Sequence, residues 1–137
     1  DENALSSVSA EGGIGPGETT SVTLLVDAQD VLNLSFAAML GNTNDAFTGL
    51  SSVDVSTLEV GSSISRTTPV YDAGTEANTE TADTVPGPAA GGEGFNEIRD
   101  DIADIITMHP GVVSNQDGLS TSALGAEHKL ITQDQKS

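Results

Sequence analysis

The chain has 137 residues, with four Lys and Arg against 21 Asp and Glu, a formal net charge of −17, no Cys and no Trp. That length fits one domain, with a core drawn from Val, Leu, Ile and Ala. The charge repels phosphate backbones and anionic lipid and so argues against nucleic acid as a partner. The missing Cys excludes disulfides, zinc–thiolate sites and thiol nucleophiles.

Residues Asp1 to Glu18 are polar and turn-rich, with Gly15-Pro16-Gly17, and read as a lead-in rather than core. Thr20 to Asp27 places Val22, Leu24 and Val26 on one face and Ser21, Thr23 and Leu25 on the other, the period of a strand. Val31 to Leu40 alternates too, with Leu32, Leu34, Phe36, Ala38 and Leu40 on one face. The short link Ala28-Gln29-Asp30 predicts an antiparallel hairpin between these two strands, with Phe36 in the core. Ser51 to Val60 reads as a short strand or an irregular crossing. Ile64 to Tyr71 reads as a strand with Pro69 near its end.

Glu76 to Gly94 is a long Thr-, Pro- and Gly-rich loop. In Asn96 to Thr107, Ile98, Ile102, Ile105 and Ile106 share a helical face. The same stretch also alternates Ile and Asp, so helix and strand both fit. From Asn115 to Ser137 only isolated apolar anchors interrupt a polar tail, expected to be poorly structured. No run approaches the ~20 apolar residues of a membrane span, so no membrane insertion is expected. No signal peptide opens the sequence at Asp1, as in a processed exported protein.

Two oxygen-rich loops sit at strand ends: Asn42 to Leu50 and Tyr71 to Glu80. A hard cation such as calcium takes about six to eight oxygens from carboxylates, Asn side chains, carbonyls and water. Asp45, Asp72 and Glu76 supply three carboxylates, with Asn42, Asn44 or Asn78 and loop carbonyls as fillers. Gly74 lets the chain turn between Asp72 and Glu76 so that both acids face one point. Solvated surface acids fit the same spacing. Neither the helix–loop–helix calcium pattern nor the Asp-bearing glycine nonapeptide is present.

Val70-Tyr71-Asp72-Ala73-Gly74-Thr75-Glu76 resembles the aromatic-Asp-Ala-Gly-Thr-Asp/Glu signature of the spondin domain, the F-spondin-type module found in matrix proteins and bacterial exported proteins. Leu34 to Leu50 resembles that family's preceding strand and its Asp…Gly-Leu loop, in the same order along the chain. The resemblance runs from about Gly15 to Val113. It implies one all-β domain over residues 1–137, an antiparallel β-sandwich with calcium among the loops at one end. Carried over by position, Asp45, Asp72 and Glu76 are the metal-binding acids, with Glu76 where relatives often carry Asp. The family's opening and closing strands have only weak counterparts here, which leaves a sheet edge open to another chain.

Chemistry other than cation binding has little to work with. His109 before Pro110-Gly111 reads as a turn residue and His128 as a surface residue, and no nucleophile elbow is present. Sugar hydrolysis needs paired carboxylates beside aromatic platforms, and the chain has three Phe and one Tyr. The expectation is not an enzyme but a secreted, extracellular calcium-binding adhesion or matrix module. Its partners would be calcium and matrix glycan or protein. The alternative expectation is a filament or surface-layer subunit joined by strand complementation between chains.

Overall fold

The computed structural model describes residues 5–27, 32–90 and 105–128. The described chain is all-β and antiparallel: β1 (Asn33–Met39), β2 (Ala46–Asp54), β3 (Val70–Asp72) and β4 (Thr107–Met108) form one sheet in the order β1-β2-β3-β4. A single 3-10 turn, Ala126–His128, follows. A second sheet, which a sandwich requires, is not found among the described residues.

The hairpin lies elsewhere than its sequence pattern predicts. β1 pairs with β2, with Met39 opposite Phe47 and Asn33 opposite Asp54. Thr20 to Asp27 carries no strand, and Val22, Leu25 and Val26 are exposed. The reason is local chemistry in the Leu40–Ala46 turn. Leu40 N–H donates to Ala46 O at 2.9 Å, and Thr43 Oγ1 both donates to Leu40 O at 2.6 Å and accepts from Ala46 N–H at 3.2 Å. These bonds close the chain back on itself and bring β2 alongside β1.

The register slips between Leu34 and Phe36, where Ser52 takes a left-handed φ of 53° and its N–H donates to Ser35 Oγ at 2.8 Å. This is a bulge, and it twists the outer end of the ribbon. All seven residues of β1 are exposed. Phe36, expected in the core, is 44 % accessible, with no second sheet over it among the described residues.

The strand expected over Ile64 to Tyr71 shrinks to Val70–Asp72. Proline has no N–H for a ladder, so pairing begins after Pro69. Thr48 Oγ1 takes up the slack by donating to Pro69 O at 2.7 Å. Of the segment for which helix and strand both fitted, Asn96 to Asp104 lie outside the described residues. Its last residue, Thr107, pairs with Asp72 as strand, so the helix does not reach it.

The long loop after Glu76 is not loose over its described part. Val85 is fully buried, and Ala89 N–H donates to Asn42 Oδ1 at 3.0 Å. Leu124, from the segment expected to be a loose tail, is fully buried too. Its carbonyl accepts from Asn115 N–H at 3.0 Å. With Ala46, these two form the fully buried apolar centre of the described chain.

That centre lies on an unexpected side of the sheet. Successive strand residues face opposite ways, so Ala46 and Thr48, Asp72, and His109 just beyond β4 share one face through the β2–β3–β4 register. Ala46, Asp72 and His109 are buried. Phe47, Tyr71 and Met108 share the other face. There the Phe47 and Tyr71 rings meet at 5.5 Å, tilted by 31°, beside an open apolar groove of about 280 Å³. The described loops cover the polar face at Ala46, Asp72 and His109 and leave Phe47 and Tyr71 on the other face half-buried.

Candidate cation site

The site grows from the register of β2 and β3. Ala46 opposes Asp72, which places Asp45, one residue earlier, beside the loop that leaves β3. Asp72 turns that loop. Its Oδ1 accepts from Gly74 N–H at 2.8 Å, the short-range bond by which Asp bends a backbone. Gly74 has φ +71°, a conformation that costs any residue with a Cβ.

The bend delivers the next two amides to Asp45. Its Oδ2 accepts from Thr75 N–H at 2.7 Å, Thr75 Oγ1 at 2.8 Å and Glu76 N–H at 3.0 Å. One carboxylate oxygen therefore holds the second loop to the first, across thirty residues of chain. These bonds are charge-assisted and stronger than neutral ones.

The oxygens left over are the informative ones. Asp45 Oδ1, Asn44 Oδ1 and Asn78 Oδ1 are buried and have no hydrogen-bond partner. Asn78 is fixed in orientation because its Nδ2 donates to Asp72 Oδ2 at 2.6 Å, and its oxygen would be repelled there. Asn44 Nδ2 donates to Thr79 Oγ1 at 3.5 Å, joining a hydroxyl cluster of Thr79, Thr81 and Thr84. A buried acceptor without a donor costs about 1–3 kcal/mol. Three of them on two facing loops fit a ligand that brings positive charge and no lone pairs.

Of the three acids expected at the site, the structure joins Asp45 and Asp72 through the loop that both of them brace. Glu76 enters through its backbone amide and is half-buried. Among the described residues no group of three or more His, Asp and Glu side chains is placed to hold a metal. A cation here would take amide oxygens and carbonyls alongside carboxylates, the mixed oxygen set that suits calcium better than transition metals.

Two residues at this end of the molecule stand out only in three dimensions. His109, read from sequence as a turn residue, is 2 % accessible, and its Nδ1 accepts from Gly111 N–H at 3.0 Å, which puts the ring proton on Nε2. Burial lowers its pKa, and that wins over the opposing pull of Asp72 and Asp45. The ring is neutral, and Nε2 is buried without a partner. Stability tied to the neutral ring is present above the ordinary value of 6.5 and is lost as pH falls through the lowered folded value. Only the spacing of His109 from the Tyr71–Glu80 loop could have flagged it, and a Pro-Gly turn hides that signal.

Glu80 is the other. It is 2 % accessible, sits at φ 56°, and its carbonyl accepts from Ala123 N–H at 2.8 Å. Burial raises its carboxyl pKa, and the weak bond from Val113 N–H at 3.4 Å lowers it less. Between the ordinary value of 4.5 and the raised folded value, the folded state keeps a proton that the unfolded chain has released. Stability tied to Glu80 is present below the ordinary value of 4.5 and is lost as pH rises through the raised folded value. Glu80→Gln keeps an acceptor for Val113 and removes the charge. We expect it to add about 1 kcal/mol at neutral pH and nothing near pH ~4, measured by urea unfolding at both.

Comparison with protein-family models, with curated proteins and with solved structures returned no match.

Proposed function

We propose that this chain is an extracellular calcium-binding module of the adhesion or matrix type, in which one calcium ion locks the Asn42–Leu50 loop to the Tyr71–Glu80 loop. The observation that carries this reading is the set of three buried oxygens without donors, on Asn44, Asp45 and Asn78. The resemblance of the two loop sequences to spondin signatures supports it. Asp72, whose oxygens each retain lone-pair capacity, and Glu76 complete the candidate ligands. The role is mechanical rather than catalytic: the ion replaces hydrogen-bond donors the fold does not supply, and it fixes the loops that a glycan or protein partner would meet.

Extracellular calcium modules bind at roughly 10⁻⁴–10⁻³ M, so the site would fill where calcium is abundant. The test is thermal and urea unfolding of the whole chain in chelator and in calcium. Calcium at a hundredfold excess over Kd is expected to stabilise by about 2.7 kcal/mol. Equal unfolding curves in chelator and in about 100 mM calcium would remove the reading.

A further inference from the structure

The strongest unanswered feature lies away from the cation loops. β1 is the outer strand of the sheet, and β2 occupies only one of its two edges. Folded proteins guard such an edge with Lys, Pro or a covering loop. β1 has the sequence Asn-Leu-Ser-Phe-Ala-Ala-Met, with no charge and no proline, and lies within residues 31–44, the longest run in the chain without a charged side chain. All seven of its residues are exposed, and Phe36 lines the open apolar groove.

A second feature of the same chain is its complement. Thr20-Ser21-Val22-Thr23-Leu24-Leu25-Val26 is β-branched and aliphatic, free of charge and proline, and alternates with the period of a strand. It nevertheless lies outside the sheet, with Val22 and Val26 about half exposed and Leu25 84 % accessible. A chain carrying a net charge of −17 gains solubility from almost any surface acid, yet these two strips carry none. Each has the strand-forming composition that the other's backbone could pair with. Neither satisfies the other within one described chain.

We propose that the outer edge of β1 receives residues 20–26 of a second copy of this chain, added as a fifth strand. The backbone ladder supplies the affinity. The alternate side chains of the incoming strand extend the sheet beyond β1, one set of them beside Phe36. Donor and acceptor are different surfaces of one molecule, so the contact is head-to-tail and repeats from copy to copy. The inference does not rest on the cation site, whose loops lie at the other end of the β1–β2 pair from Asn33 and Asp54.

The test is light scattering after size exclusion and amide hydrogen exchange, both over a concentration series of the full chain at moderate salt. The expected result is an average mass that rises with concentration, with protection at residues 20–26 and along β1 rising in step. Thr23→Pro lies outside the sheet and leaves it folded. It is expected to weaken association roughly tenfold by removing a ladder donor and blocking the register. Leu25→Asp should do the same through charge. A strict monomer at every concentration overturns the proposal. So does protection of residues 20–26 that is independent of concentration, which would seat the segment on its own chain. Association that neither variant changes overturns the assignment of the donor.

Discussion

Asp45→Ala is expected to cost about 3 kcal/mol of stability even in chelator, because it strips the acceptor from three donors at once. Two of them, the Thr75 and Glu76 amides, are backbone groups that cannot rotate to find water. The same variant is expected to abolish stabilisation by calcium, since it removes one of the three oxygens without a donor as well. Asp45→Asn separates the two effects. Its neutral oxygen still accepts, so about half of the chelator-state loss should return, while the charge that attracts the cation does not. Urea unfolding of both variants, with calcium and with chelator, gives the four numbers needed. A variant that is destabilised but still responds fully to calcium would place the ion elsewhere.

Gly74→Ala carries the second large effect, and it arises in the backbone. A Cβ at φ +71° costs about 1 kcal/mol by itself. Here the Cβ would also stand 2.4 Å from the Ile105 carbonyl oxygen, which belongs to the segment leading into β4 and cannot swing away as a side chain would. The total expected loss is about 3 kcal/mol, with calcium affinity falling about tenfold as the Asp72 turn opens. Gly61 provides the control. It has φ +83° and nothing within 4 Å of the position of a Cβ, so Gly61→Ala should show the conformational cost alone, about 1 kcal/mol, and no change in calcium response. Chemical denaturation of the pair with calcium titration distinguishes strain at the site from strain anywhere.

How much of this could be read from the sequence differs residue by residue. The pairing of Asp45 with the Asp72 loop was legible because each acid stands at a strand end, and strand ends are where antiparallel neighbours bring loops together. The all-β class was legible from the period of Val31–Leu40, within which β1 does form. The neighbour of β1 was not. Alternation tells which face a residue takes, but both edges of a strand have the same period, and the closing bonds of Thr43 decided between them. Phe36 misled for a related reason: its period assigned it a face, the one it shares with Leu50 and Thr48, and that face is only partly covered at β1. Glu80 and His109 were hidden because burial of a charged or polar side chain is set by what folds over it. For Glu80 that is the segment around Val113 to Leu124, whose own sequence is mostly polar.

Tyr71 is the only tyrosine, and the chain has no tryptophan. Its ring rests against Phe47, its backbone neighbour is Asp72, and its strand enters the loop that Asp45 holds. The molecule thus carries one tyrosine and no tryptophan, and that tyrosine stands one residue from the candidate cation site. Tyrosine emission of the unlabelled protein reports on that end of the sheet.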